Sequence, residues 1–537
     1  MNGKAGAIPN DVYFCEMKFK SSFLLLTILL STSCANIKGI NGGPEDKKAP
    51  GLVLSKSSPQ KQKNFKDRKL NFYFDEWIRI ENPQSNISIS PSLEFPAKYI
   101  LKGKELIIEL DSREQLKENT TYSIQFGESI KDITVGNVQR NLRYIFSTGD
   151  YIDSLKIEGQ VKDAFSNQAK EKILVGLYNN LHDSAFQKLK PFYFCFTDTA
   201  GRFQLENLSP GEYKLYALLD KNQNYYFDQF GEYLAFLNQS ISISDSTHQK
   251  YNLFLSESRT PLFIKDRVAG SGKLKLQFNE KPDSLVPSFS QISKVLWYLA
   301  NDSLLVWNMK EVQDSLVLKY PGHSDSFQIT PKINSPANGK ASIGLRERIL
   351  KPDEYPTFSY KDPILNVDLS KIMCIDSSIS NFKIQPDAVD PRSFQLIGNF
   401  SNKSEFKLIF GDSAMLLWPD LVSKSDTFQI RYLDKTALSR LTLKLDSLNA
   451  ESAYILELIE SEQIRLTRNI AKFESLKELT FPNLLPGIYK LRLIEDKNQN
   501  RRWDGANYEQ KIQAEPVWNF SLPELRADWD IAVTIKP

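Results

Sequence analysis

The chain has 537 residues, enough for about three to five domains of roughly 100–200 residues each. Hydrophobic residues make up 41% and charged residues 25%, which excludes wholesale disorder. The 68 basic and 65 acidic residues leave a net charge of +3 with no basic stretch, so nucleic acid is excluded as a partner. Three His and four Cys exclude a His- or Cys-rich metal centre.

Residues 17–34 read Met-Lys-Phe-Lys-Ser-Ser-Phe-Leu-Leu-Leu-Thr-Ile-Leu-Leu-Ser-Thr-Ser-Cys. Lys18 and Lys20 precede an apolar run at 23–30, far shorter than the ~20 apolar residues of a spanning helix. It reads as a signal peptide over 1–33, with translation starting at Met17. Ser31, Thr32 and Ser33 lead to Cys34, and this resembles the lipobox of bacterial lipoproteins, although Ser31 stands where a lipobox has Leu. The resemblance implies acylation of Cys34 and attachment to the membrane through an N-terminal lipid; two or more acyl chains anchor a protein stably. Residues 34–50, rich in Gly, Pro and charge, read as a flexible tether. Cys195 and Cys374, 179 positions apart, read as small core hydrophobes rather than a disulfide or a nucleophile.

The body alternates apolar and polar residues: Leu70-Asn-Phe-Tyr-Phe74, Lys273-Leu-Lys-Leu-Gln-Phe278, Leu441-Thr-Leu-Lys-Leu445, Tyr489-Lys-Leu-Arg-Leu493. Period two means strands with one buried face. Turn clusters recur at short intervals and long amphipathic helices are absent, so the fold class is all-β, tandem β-sandwiches in series. Residues 51–149 resemble a bacterial Ig-like domain of the SbsA type. The matching pieces are Leu70-Asn-Phe-Tyr-Phe-Asp-Glu76, Ile87-Ser-Ile-Ser-Pro91, Leu116-Lys-Glu-Asn-Thr-Thr-Tyr122, Lys131-Asp-Ile133 and Phe146-Ser-Thr148. Tyr122 is expected to point inward.

One internal repeat stands out. Residues 208–228 recur at 484–504 with a constant offset of 276, and 12 of the 21 positions are identical. Around the first copy, Asp198, Gly201-Arg-Phe-Gln-Leu205, Leu208, Pro210-Gly211 and Tyr213 resemble the carboxypeptidase regulatory-like (transthyretin-like) domain. That implies a seven-stranded sandwich at 150–258 and a second at 438–537, where the Asp-x-x-Gly-x-Phe part is missing. Weaker echoes at 276–282 and 363–372 imply further Ig-like sandwiches at 259–350 and 351–437. The whole resembles Ig-domain-containing lipoproteins of Bacteroidetes-type bacteria, which implies an outer-membrane location, the face being left open.

The sharpest constellation is Asp220, Asn222, Asn224 and Asp228, repeated as Asp496, Asn498, Asn500 and Asp504. Oxygen ligands at alternate positions can converge on a hard cation such as Ca²⁺, as in an EF-hand loop. Yet Tyr225 and Arg501 stand where that loop needs Gly, and Gly231 and Asn507 where it needs Glu. An Asx-rich hairpin bonding its own backbone fits equally. Tyr225, Tyr226 and Phe230 form either a stacking platform for a glycan or an envelope protein, or hairpin packing. Ala269-Gly-Ser-Gly-Lys273 lacks the spacing of a phosphate loop. No local pattern of a nucleophile elbow or metalloprotease helix occurs. The expected role is non-catalytic, structural or binding; the alternative is an accessory carbohydrate-binding or hydrolytic protein with a site at a domain junction.

Overall fold

The computed structural model describes residues 46–537, apart from 229–230, 245–249, 259, 283–284, 291–294, 321–322, 333–339, 342, 376–381, 401–403 and 473–477. The expected signal peptide, Cys34 and most of the tether lie outside the described residues, as does Phe230. The chain is nearly all β. The α-helices among the described residues are single turns, Pro83–Asn86 and Ala185–Lys188, and none is long and apolar enough to cross a membrane.

The first sandwich faces the sheet Lys69–Tyr73, Glu105–Glu109, Lys98–Lys102 against Ser88–Ser90, Thr121–Gln125, Arg143–Ser147. Alternation decides which side chains meet: Leu70, Phe72, Leu106 and Ile108 pack with Tyr122, Ile124, Tyr144 and Phe146. Tyr122 points inward as its motif implied, and its hydroxyl accepts the Lys117 N–H at 3.0 Å. A small ladder, Ile78–Ile80 on Ile130–Asp132, ends in a tight turn. There the buried Asp132 carboxylate accepts the N–H groups of Thr134, Val135, Gly136 and Asn137 at 2.7–3.0 Å.

The two copies of the repeat fold alike. In the central unit Tyr193–Phe196, Leu174–Tyr178, Gly211–Leu219, Tyr233–Phe236, Lys250–Glu257, Leu155–Asp163 and Arg202–Leu208 lie side by side. In the C-terminal unit Gln463–Ile470, Ala453–Glu460, Tyr489–Asp496 and Val517–Ser521 form one sheet, and Asp530–Ile535, Ser439–Leu445 and Glu478–Leu484 the other. Strand for strand the order is the same, including a parallel pairing of the first and last strands in each unit. Asn207 and Asn483 take the same left-handed conformation, φ 58° and 60°. Tyr213 and Tyr489 each donate a hydroxyl to the carbonyl four residues back, at 3.1 and 3.0 Å. Phe203, Leu205, Tyr213 and Leu215 enter the central core together with Cys195. Burial pushes the Cys195 thiol up to about 12, which keeps it a neutral apolar group; Cys374 stands half-buried on a separate sheet.

Two further cores lie between the copies, one built from Leu262 to Ile329 and one from Ile343 to Tyr432. Strands Gly344–Leu345 and Ile349–Leu350 pair into the second of these. Residues 269–273 form the turn of a hairpin, with Gly270 opposite Lys273, so the lysine there belongs to a strand. Trp418 donates Nε1–H to the Asn308 carbonyl at 2.9 Å and packs on Trp307, joining the two units.

Asp132 generates a pH prediction. The N–H groups of Gly136, Val135, Asn137 and Thr134 hold its carboxyl down to about 2. A depressed carboxylate contributes stability above its unfolded value near 4, and that contribution is lost as pH falls toward 2. Asp132→Asn is therefore expected to melt below the wild type at pH 7, with the two midpoints converging between pH 4 and pH 2 in thermal denaturation.

Candidate functional site

The two loops are conformational twins. Asp220 takes the N–H of Asn224 at 3.3 Å on Oδ1 and that of Tyr225 at 2.7 Å on Oδ2. Asp496 does the same for Asn500 at 3.1 Å and Arg501 at 2.9 Å. Asn222 and Asn224 each donate Nδ2–H to Asp228, at 3.2 and 2.6 Å. Asn498 and Asn500 donate to Asp504 at 2.5 and 2.6 Å. Asn224 Oδ1 accepts the Tyr226 N–H, and Asn500 Oδ1 the Arg502 N–H. Gln223 and Gln499, then Tyr225 and Arg501, share positive φ, so the backbone reaches the left-handed region without the glycine that an EF-hand loop uses there. Each loop thus gathers its four expected residues, and their side chains satisfy the turn's own N–H groups.

An acid that spacing did not reveal completes each loop. Glu232 accepts the N–H groups of Lys221 and Asp228, both at 3.3 Å. Glu515 accepts those of Lys497 at 2.7 Å and Asp504 at 3.0 Å. Both carboxyls are buried. Burial pushes Glu515 up to about 7, the charges of Asp504 and Asp496 add to this, and the two N–H groups pull the other way. Glu232 follows Asp228 by four positions, but Glu515 follows Asp504 by eleven. Its place was therefore invisible to a constant offset; the available signal was an acid just before the next strand in both copies.

In this arrangement the amides turn N–H, not oxygen, toward Asp228 and Asp504. Among the described residues no three His, Cys, Asp or Glu side chains converge as a metal-holding group.

The seven extra residues in the second copy form an arm that docks on the first. Tyr508, 6% exposed, sits among Phe186, Tyr216 and Phe236 on the outer face of the central sheet, with ring centroids 5.3–5.8 Å apart. Its hydroxyl donates to the Asp183 carbonyl at 2.6 Å and lies 3.1 Å from the Tyr216 hydroxyl. Ala506 N–H reaches Ser256 Oγ at 2.8 Å, and Gln513 donates to the Phe236 carbonyl at 3.0 Å. Below the arm Trp503 packs on Phe165, with centroids 4.9 Å apart. Tyr225 meets Phe194 edge-on at 5.1 Å, and Tyr226 is half-buried beside it. The Tyr225 ring is thus engaged in packing on the central sheet. His182 and His323 are exposed.

Two outcomes follow. Asp496→Ala takes the acceptor from the Arg501 N–H and leaves the Asn500 N–H with Asn498 Oδ1, and is expected to cost about 1–3 kcal/mol, read as a lower denaturant midpoint; Asp496→Asn, which keeps one acceptor, costs less. The same melts with and without millimolar Ca²⁺ report whether the amide oxygens turn inward to an ion, which would raise the wild-type midpoint and not that of Asp496→Ala. Tyr508→Ala empties an aromatic slot between units and is expected to cost about 3 kcal/mol and to speed tryptic cleavage at Lys511. Tyr508→Phe, losing only hydroxyl contacts, costs about 1 kcal/mol.

Comparison with known proteins places the first sandwich: residues 46–148 match the family model described as a bacterial Ig-like domain. No curated protein matches the chain. Among solved structures, the major pilin subunit BcpA of Bacillus cereus is 9% identical, covers 71% of this chain and 99% of its own, and has a TM-score of 0.15. Domains 5–6 of the S-layer protein SbsC are 10% identical, over 33% of this chain and 98% of that one, with a TM-score of 0.19. A DUF3823 family protein from Bacteroides uniformis is 12% identical, over 33% of this chain and 97% of that one, with a TM-score of 0.13. Overlaps this small carry no functional assignment.

Proposed function

We propose that the chain is a lipid-anchored protein of the cell envelope, an outer-membrane lipoprotein with a structural or binding role and no catalysis of its own. Its tandem β-sandwiches hold an interaction surface for an envelope protein or glycan away from the bilayer. The observation that carries this reading is the order of segments: a basic, apolar and small-residue run ending at Cys34, a Gly- and Pro-rich stretch, then sandwiches to the C-terminus. Two acyl chains would hold such a chain stably at a membrane, each buried CH₂ contributing about 0.8 kcal/mol. The docking of the 505–515 segment on the central unit supports it further. Loops that hold two units together stiffen the body into a spacer.

Mass spectrometry of the N-terminal peptide from membrane fractions tests the anchor. The expected peptide begins at Cys34 and carries the added mass of acyl chains, and Cys34→Ala moves the protein out of the membrane fraction. An unmodified Cys34 still joined to Ser33 overturns the reading.

A further inference from the structure

One end of the first sandwich gathers exposed apolar side chains where the chain begins. Trp77, Ile133 and Val135 are 59%, 53% and 49% exposed. They are contiguous: Ile133 donates its N–H to the Trp77 carbonyl at 3.3 Å, and Val135 lies in the turn that Asp132 ties down. The Trp77 ring lies over Gly103, where a Cβ would come within 2.9 Å of it. A side chain at 103 would lift the ring from its seat. The turn and the ladder are thus rigid supports for three residues that the sandwich core does not use.

The chain arrives at this same end. Asn137 donates to the Asp46 carbonyl at 2.8 Å, Gly51 N–H to Asp75 at 2.7 Å, and Lys48 pairs with Asp75 at 3.2 Å. It leaves at Gly149, whose carbonyl accepts the Asn64 N–H at 2.8 Å, and the central unit packs along the flank of the first sandwich, where Phe194 N–H meets Ser90 Oγ at 3.0 Å and Ser92 donates to the Pro191 carbonyl at 2.6 Å. Twelve residues link Cys34 to Asp46 and reach at most about 40 Å. An anchor at Cys34 therefore joins the folded part through this end. Lys48 and Lys104 reach Asp75 at 3.2 and 2.6 Å, and the Asp46, Asp132 and Asp75 charges act on Glu76, so charged groups of both signs border the apolar one, as in a headgroup layer. Trp is favoured at that depth because its ring is apolar and its N–H is wet.

We infer that Trp77, Ile133 and Val135 form a membrane-contact tip that seats the first sandwich against the phospholipid bilayer. This rests on the lipid anchor proposed above. With one end tethered, even a shallow contact is formed at high local concentration.

The full-length protein, purified from membranes and reconstituted in phosphatidylethanolamine–phosphatidylglycerol vesicles with brominated acyl chains, tests it. Flotation reads the anchor and tryptophan quenching reads the tip. The wild type is expected to float and to be quenched, and Trp77→Phe to float while losing at least about half of the quenching. Trp297 and Trp529, exposed on other units, keep their emission. Val135→Asn, with Trp77 in place, also reduces quenching, and unchanged thermal midpoints show that the variants fold. Flotation with equal quenching of wild type and Trp77→Phe overturns the tip and leaves the anchor standing. So does an unquenched Trp77 that becomes shielded only as protein concentration rises, which assigns the surface to a second copy. Failure to float overturns the anchor and the tip with it.

Discussion

Tyr508 is held in an aromatic slot on the outer face of a sheet that lies 292 residues away at Tyr216. A β-sandwich buries its two inner faces and leaves its outer faces to water unless something covers them. In the central unit the outer face carries Leu174, Tyr178, Tyr216, Leu218 and Phe236, too much apolar surface to leave wet, and the arm around Tyr508 covers it. The C-terminal unit therefore sits on the central unit, and the segment between the two copies closes a loop in space. Arg502, which donates to the Lys281 carbonyl at 2.7 Å, ties that return to the unit just after the first copy.

The arm belongs to one copy alone, and the repeat explains why; the first copy answers with its 165–167 turn, where Asn167 donates to the Val517 carbonyl at 2.5 Å. Seven residues inserted between Asp504 and Glu515 make the arm, and the first copy has no counterpart. The equivalent outer face of the second copy carries Arg492, paired with Glu457 at 2.9 Å and covering Phe165. A face capped by a charge pair and by a ring from the first copy offers no slot for another arm. Two copies of one fold thus dock through different surfaces.

Carboxylates that accept several backbone N–H groups recur as the local device behind this architecture. Asp132 does it in the first sandwich, Asp198 in the turn before Phe203, and Asp220 and Asp496 in the twin loops. Each lets the chain reverse tightly with its donors satisfied. At 132–137 the device supports Val135 on the surface; at 496–504 it aims the chain into the arm. The same residue types first suggested a cation site because oxygen atoms at alternate positions serve either purpose. Which purpose a loop serves depends on the direction in which Asn224 and Asn500 turn their amides.

The strand pattern, the all-β class, the inward side chains and the kinship of the two repeated units were legible in the sequence. Period-two burial and turn chemistry are local, and each can be read from a few neighbouring residues. The composition of each loop was legible for the same reason. Glu232 and Glu515 were not, since an insertion shifts one against the other. Nor was the role of Tyr225 or Tyr508, because an aromatic side chain looks the same whether it meets solvent or a ring from a distant unit. Tertiary structure alone decided which outer face is covered, which end of the first sandwich bears Trp77, and which units touch. Those outcomes depend on the summed shape and apolar area of surfaces that exist only after the strands have paired.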